Sequence, residues 1–364
     1  MILLLIITLI LGVIIVITLY NFFTAPMLKP LTLNNTTYPL ISVLIPARNE
    51  ASNIDKCLNH LLNQDYKNLE LIVLDDNSED NTKHIVESYS KKHNHIQLLK
   101  GKELPEGWLG KNWACNQLSQ QAKGQYLLFI DADVEIQPDA ISAAIEEMKS
   151  SEAKMLSIFS TQIIRSFGEW LVVPLMNWML LAFLPLKLVY ASRKKSFVAA
   201  NGQFIFWERK TYFEIGGHEI VKDKVVEDME FARICKSMNI RIKTLLGGNL
   251  IYCKMYSGLS EAIRGFAKNF YPGFNINAFV FLLMITFFVI IFLLPFILVF
   301  TNNLYFIPIV MILLIRMIIS IKSRQNTFMN VLLHPLQMVL MYIVGIKSII
   351  NTKTGKLDWK GRHI

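Results

Sequence analysis

The chain has 364 residues, of which 53% are hydrophobic and 18% charged, with a formal net charge of +9. A mean hydropathy of +0.38 leaves room for one sizeable soluble domain but excludes a wholly soluble protein. The excess positive charge sits beside apolar stretches, at Lys322 and Arg324 and again at Lys347, Lys353, Lys356, Lys360 and Arg362, which suits cytoplasmic flanks of membrane spans and argues against nucleic-acid binding.

Residues 1–23 are uncharged and long enough to cross a bilayer, which takes about 20 apolar residues. They lack the basic start and short apolar core of a cleaved leader, so they read as a retained transmembrane anchor. From Ile41 the pattern changes. β-rich runs at Ile41 to Ile45, Leu69 to Leu74, Ile96 to Leu99 and Tyr126 to Ile130 alternate with helical stretches near Glu50 to Asn63, Glu79 to Lys92 and Asn112 to Lys123, and Pro138 opens another helix. This alternation predicts an α/β domain with a mainly parallel sheet, over residues 40–270.

Residues 170–190 are apolar but interrupted by Pro174, Asn177, Pro185 and Lys187. With Trp170, Trp178 and the following Arg193-Lys194-Lys195, they read either as an interfacial helix in the headgroup layer or as core helices of the same domain. Residues 278–350 hold the C-terminal membrane helices: Ala278 to Phe300 and Leu304 to Ile321 form a hairpin, and Val331 to Ile350 is a fourth stretch broken at His334-Pro335. The basic segments on both sides of this fourth stretch cannot both be cytoplasmic if it spans once, so either it is re-entrant or interfacial, the reading its His-Pro break favours, or one basic segment lies outside. The expected protein is multi-pass in the cell membrane, with its N-terminus outside, its central domain in the cytosol and a basic tail over 351–364. Cys57, Cys115, Cys235 and Cys253 show no C-x-x-C spacing and read as reduced packing residues.

Polar residues gather where the predicted strands end, which is where an open α/β sheet binds ligands. Asp131-Ala132-Asp133 follows the fourth strand. On an extended chain two such side chains leave one face roughly 6 to 7 Å apart, since each residue advances ~3.3 Å. Two carboxylates so placed suit one divalent cation shared with a diphosphate, although the pattern alone also suits a solvated loop. Asp75-Asp76-Asn77-Ser78 ends the second strand and could either hydrogen-bond a nucleoside or form an Asx turn capping the next helix. Ile45-Pro46-Ala47-Arg48-Asn49-Glu50 ends the first strand, with Arg48 free to meet a phosphate. Gly107 to Ala114 carries two glycines, two tryptophans and Lys111, a loop able to close over a diphosphate. Glu227-Asp228 opens a helix, where the acids either favour the helix terminus or present a carboxylate to a nucleophile. Ala199 to Gln203 and Gly216-Gly217-His218 are turn-like segments that could shape an acceptor pocket, with His218 read as structural.

The ordered set of Ile45 to Glu50, Asp75 to Ser78, Gly110-Lys111, Asp131-Ala132-Asp133, Gly216-Gly217-His218 and Glu227-Asp228 resembles the membrane-associated family 2 glycosyltransferases. The resemblance covers about residues 40 to 270 and implies a GT-A fold, a nucleotide-sugar donor (usually a UDP-sugar), a divalent cation (Mg²⁺ or Mn²⁺) and inversion at the anomeric carbon. Carried over by motif, Asp75 and Asp76 bind the nucleoside, Lys111 approaches the diphosphate, Asp131 and Asp133 hold ribose and metal with Asp133 the metal ligand, and Asp228 is the general base. Pro46, Arg48, Glu50, Gly202 and Glu227 complete the substrate-binding set. The loop from Trp108 to Cys115, the segment after Ala199 and Asp358-Trp359-Lys360-Gly361-Arg362 resemble the branch acting on polyisoprenoid lipids, such as carotenoid acids and hopanoids. No Q-x-x-R-W follows Asp228, only Arg264 to Asn269, which departs from the processive synthases. Single transfer of glucose to a polyisoprenoid lipid is the expected reaction; a glycerolipid or polyprenyl phosphate acceptor, or a noncatalytic nucleotide-sugar-binding protein, are the alternatives.

Overall fold

A computed structural model of the chain describes residues 1–31 and 39–355, and the backbone of 358–359 and 362–363. Lys356, Lys360 and the side chains of the terminal Asp358 to Arg362 motif fall outside the described residues. Two compact units emerge. One gathers Pro26–Thr161, Val189–Lys254 and Asp358–Ile364; the other gathers Met1–Ala25, Gln162–Leu188 and Met255–Leu357. The stretch 40–270 is therefore shared between them.

The first unit is α/β. Its central strands are apolar along their whole length: β1 (Ile41–Ala47) is buried at every position, which requires layers on both faces of the sheet. β2 (Leu69–Asp75), β3 (Ile96–Lys100) and β4 (Tyr126–Ile130) join it in parallel, with Ile41 opposite both Leu69 and Tyr126, and Ala47 opposite Asp75. Connecting helices α2 (Ile54–Leu62), α3 (Thr82–Lys92) and α4 (Gly110–Gln121) lie between successive strands. α2 shows why it packs there: Ile54, Cys57, Leu58 and Leu61, at helical i, i+3, i+4 and i+7 spacing, are its buried residues.

The sheet has seven strands in the order β3-β2-β1-β4-β8-β6-β9. After β4 come β5 (Val134–Ile136), α5 (Ala140–Ser151) and β6 (Met155–Phe159). β8 (Phe204–Glu208) runs antiparallel between β4 and β6, and β6 pairs in parallel with β9 (Ile242–Leu246). The chain leaves β1 toward β2 on one side and β4 lies on the other, so the crevice at the carboxyl ends of β1 and β4 is the topological switch point. β10 (Ile251–Cys253) pairs antiparallel with β5, bringing Cys253 opposite Val134. α9 (Arg209–Glu214) and α10 (Glu227–Ser237) complete this unit, with a short backbone pairing of β11 (Asp358–Trp359) and β12 (Arg362–His363). β7 (Thr161–Gln162) and α8 (Lys187–Ala191) lie at the points where the chain passes between units.

The second unit is helical: α1 (Ile2–Thr24), α6 (Phe167–Trp170), α7 (Pro174–Phe183), α11 (Leu259–Phe274), α12 (Ala278–Leu298), α13 (Phe306–Lys322), α14 (Thr327–Leu332) and α15 (His334–Lys353). Four helical segments, Ile2–Thr24, Ala278–Leu298, Asn303–Lys322 and His334–Lys353, are long and apolar enough to cross a membrane. The expected break at His334-Pro335 falls between α14 and α15, and α15 itself continues unbroken with Pro335 in its first turn, where a missing N–H costs nothing.

Polar side chains hold these helices together. Asn21, in the otherwise apolar α1, donates to the carbonyls of Leu181 and Leu184 at 2.8 and 2.7 Å and accepts from the Leu186 N–H at 2.8 Å, satisfying the end of α7. Arg316 is buried, donates to Gln337 Oε1 and lies 3.5 Å from the Asn330 carbonyl at the end of α14. Trp178 is fully buried among Phe183, Phe288 and Phe292, so α7 packs against α12 within the helical unit and not in the core of the α/β unit.

Candidate active site

The loops after β1 and β2 are stitched into one another. Asn49 and Asn77 both adopt left-handed backbone, φ +54° and +51°, a conformation asparagine tolerates well. The Asn49 N–H donates to Ser78 Oγ at 3.1 Å, and Asn49 Oδ1 accepts from the Glu79 N–H at 2.8 Å. Arg48 is buried and turns into this seam: Nη1 donates to the carbonyls of Asp76 at 2.7 Å and Asn77 at 3.1 Å. Its guanidinium thus braces the acidic loop, which differs from the phosphate contact expected of it. Glu50 is likewise engaged locally, accepting from Asn53 Nδ2 at 2.9 Å.

That bracing fixes Asp75 and Asp76 at the end of β2. The Asp76 N–H donates to the Ala47 carbonyl at 2.8 Å, and the Gly101 N–H donates to the Asp75 carbonyl at 2.9 Å. A Cβ at Gly101 would lie 3.1 Å from both the Asp75 carbonyl oxygen and Asp76 Cα, so the end of β3 approaches this loop as closely as glycine allows. Asp75 Oδ1 is buried without a hydrogen-bond partner. A buried carboxylate oxygen in that state is costly until a donor reaches it.

The paired acids do not splay from an extended strand. The Val134 N–H donates to the Asp131 carbonyl at 3.1 Å and closes a turn over Asp131 to Asp133, while the Asp131 N–H donates to the Gln203 carbonyl at 3.1 Å. The turn sends the two side chains to different partners. Asp131 Oδ1 is 2.9 Å from Lys111 Nζ, whereas Asp133 accepts a hydrogen bond from the Cys253 thiol at the end of β10.

Lys111 stands in the first turn of α4 and pairs with Glu227 Oε1 at 3.3 Å as well as with Asp131. Burial alone would lower its pKa, but the two carboxylates outweigh it and hold the ammonium well above its ordinary value. Asp228 follows at the start of α10. Its low-dielectric surroundings, then the charge of Glu227, push its carboxyl up to about 7, against the opposing effect of the Met229 N–H, which donates to Asp228 Oδ1 at 2.7 Å, and of Lys111. Gly202 closes the group: a Cβ there would lie 3.2 Å from Lys111 Nζ, 3.3 Å from Glu227 Oε1 and 3.6 Å from Asp228 Oδ2. Pro46 lines the same cleft as Lys111, Asp131, Gly202 and Glu227. The structure therefore gathers Pro46, Lys111, Asp131, Gly202, Glu227 and Asp228, while Arg48 and Glu50 serve the neighbouring loops.

Two supports had no signal of their own in the sequence. Asn112, beside Lys111 and almost wholly buried, donates its amide to the carbonyls of Val221, Lys222 and Lys224 at 2.8, 3.2 and 2.9 Å. Tyr212 is the other. Its hydroxyl lies 2.7 Å from His218 Nδ1 and accepts from the His218 N–H at 3.1 Å. Burial, then the charge of Lys111, pushes His218 down to about 3, so it stays neutral and Nδ1 accepts the tyrosine proton. The Gly216-Gly217-His218 turn is thus locked onto Tyr212, whose ring leaves no room for a Cβ at Gly217, and His218 is structural. All four cysteines are free and buried.

Residues 42–227, more than half of the chain, match the model of glycosyl transferase family 2. The chain belongs to that family. A relative in Staphylococcus haemolyticus, 4,4'-diaponeurosporenoate glycosyltransferase, is 26% identical over 240 residues, 64% of this chain and 61% of its own length. A Campylobacter jejuni relative, GalNAc(5)-diNAcBac-PP-undecaprenol beta-1,3-glucosyltransferase, is 32% identical over 131 residues, covering 36% of this chain and 40% of its own. The matched regions therefore span less than two thirds of these relatives. Among solved structures, the mannosyltransferase PcManGT of Pyrobaculum calidifontis, in complex with GDP-Man and Mn²⁺, superposes with a TM-score of 0.57 at 17% identity over 96% of this chain and 99% of that one. The family 2 chain has the GT-A fold.

Proposed function

We propose that this chain is a membrane glycosyltransferase that moves a sugar, glucose, from a UDP-sugar to a polyisoprenoid lipid acceptor with inversion. The carrying observation is the convergence of Lys111, Asp131, Gly202, Glu227 and Asp228, with the Asp228 carboxyl at about 7, where a general base works best. Asp228 takes the proton of an acceptor hydroxyl, or orients an acceptor carboxylate already ionised. The acceptor oxygen bonds to the anomeric carbon on the face opposite the nucleotide, and the bond from that carbon to the diphosphate breaks, its electron pair leaving with UDP. Lys111, fixed as a cation, stabilises the charge that develops on the departing diphosphate.

The nucleoside belongs at the end of β2. Asp75 Oδ1, a buried acceptor with no partner, suits the ring N–H of a base. Asp75→Ala is expected to raise the donor KM about 10-fold with kcat changed far less, because one hydrogen bond of ~1.4 kcal/mol is worth a factor of ten; initial rates against donor concentration measure it.

A divalent cation fits the donor set in one way. No group of three or more His, Cys, Asp or Glu side chains converges on a metal site among the described residues, so the protein would supply one or two hard carboxylate oxygens, from Asp133 with Asp131 beside it, and the diphosphate the rest. Bound there, Mg²⁺ or Mn²⁺ would neutralise charge on the leaving group. The complex of PcManGT with GDP-Man and Mn²⁺, and the lipid-linked substrates in the names of the two relatives, support this reading. The four apolar helices support a multi-pass enzyme, and the basic residues Lys322 and Arg324 beside one of them favour the cytosolic side for the α/β unit.

The test is UDP release by membranes holding the protein. Release should require a lipid extract and a divalent cation, and separate arms with carotenoid acid, glycerolipid and polyprenyl phosphate distinguish acceptors. Release that is indifferent to lipid would refute lipid glycosylation.

A further inference from the structure

Asp228 stands in the first turn of α10, and shortly before it Lys222, Asp223 and Lys224 all face solvent. Side chains so exposed supply little packing, so the place of this segment depends on the hydrogen bonds of its backbone. Upstream, it is anchored by Tyr212, which holds His218. Downstream, the anchor is Asn112, in the first turn of α4. One Asn112 amide gathers the carbonyls of Val221, Lys222 and Lys224, and the Leu109 N–H adds a bond to the Lys222 carbonyl at 2.8 Å. Val226, Glu227 and Asp228 follow within four residues of the last of these.

We infer that Asn112 is a positioning residue for Asp228: by pinning the backbone of Val221 to Lys224 to the first turn of α4, it sets the carboxylate at the start of α10 in register with Lys111. Two adjacent residues of one helical turn then divide the work. Lys111 holds the acids Asp131 and Glu227 through charge, and Asn112 holds the chain that delivers Glu227 and Asp228. Isosteric aspartate could not substitute, since a carboxylate offers the three carbonyls no donor. The inference rests on the reading of Asp228 as the general base.

The experiment is a double-mutant cycle on the full chain in membranes, read as UDP release with a lipid acceptor that carries a hydroxyl. Asn112→Ala is expected to lower kcat by roughly 10- to 100-fold with the donor KM within about 2-fold of the parent, since misplacing a reacting group by ~1 Å costs about 10²-fold. Asn112→Asp, isosteric but without a donor for the carbonyls, should fall as far as alanine, and a donor KM near the parent's in both variants guards against a folding defect. In the Asp228→Asn background, Asn112→Ala should cost no further activity beyond about 2-fold, because the group it positions is gone. Losses that multiply, a donor KM that rises in proportion to the fall in kcat, or full activity of Asn112→Ala would each overturn the inference. If Asp228→Asn alone keeps parental turnover, the reading of Asp228 fails and takes this inference with it; if Asp228→Asn is strongly slowed and the losses still multiply, only the role of Asn112 fails.

Discussion

Asp228→Asn is expected to lower turnover with a hydroxyl acceptor by ~10²- to 10⁴-fold, the usual contribution of a positioned general base. The amide keeps the shape and the hydrogen bond from the Met229 N–H but cannot take a proton. The pH dependence has a definite sign. With the carboxyl at about 7, Asp228 is mostly protonated below that pH and mostly ionised above it, so the parental rate should rise tenfold per pH unit below about 7 and level off above. A carboxylic acid acceptor behaves differently, because its group, with pKa about 4, is already ionised at neutral pH and needs no base. Equal and complete loss with both acceptor types would count against Asp228 as a base.

A stability control separates chemistry from unfolding. Asp228 titrates near 3.8 when unfolded and near 7 when folded, so between those values the folded state binds more protons and stability falls as pH rises. Asparagine carries no such penalty. Asp228→Asn should therefore melt no lower than the parent at pH 8.

Lys111→Met is expected to be the second most damaging change, costing ~10²- to 10³-fold in kcat, the scale seen when one preorganised group facing developing charge is removed. It acts twice. The departing diphosphate loses its fixed cation, and Asp131 and Glu227 lose the ammonium that lies 2.9 and 3.3 Å from them. Lys111 also restrains the Asp228 carboxyl, so without it that group should move further above 7, and the acidic limb of the rate profile should shift to higher pH. A rate within a few-fold of the parent, with the limb unmoved, would mean that Lys111 only neutralises its neighbours.

What could be read from the chain follows a physical boundary. The starts of β1, β2 and β4 were legible, and their ends to within two residues, because strands covered on both faces must be apolar throughout, and the polar residues that interrupt them mark the sheet edge. The gathering of Lys111, Asp131, Gly202, Glu227 and Asp228 followed from motif resemblance and topology. Side-chain direction was not legible. Arg48 looks like a phosphate ligand in one dimension, yet the nearest unsatisfied acceptors are carbonyls 28 and 29 residues away in the next loop. Asn112 bonds carbonyls more than 100 residues downstream, and no local pattern encodes such a partner. The insertion of β8 between β4 and β6 is hidden for the same reason: its sequence permits a strand, but its neighbours are set by the whole sheet. Asp131 and Asp133 illustrate a local failure, since a single turn hydrogen bond to the Asp131 carbonyl replaces the extended geometry that their spacing suggests.

The most direct measurement is mass spectrometry of lipids from membranes incubated with isotopically labelled UDP-glucose, comparing the parent chain with Asp228→Asn. A polyisoprenoid lipid carrying one labelled sugar is expected in the parent and, where the sugar sits on a hydroxyl, its near absence in the variant, at equal protein levels. Labelled lipid in equal amounts from both on a hydroxyl acceptor, or from neither with any labelled UDP-sugar, would contradict lipid glycosylation through Asp228.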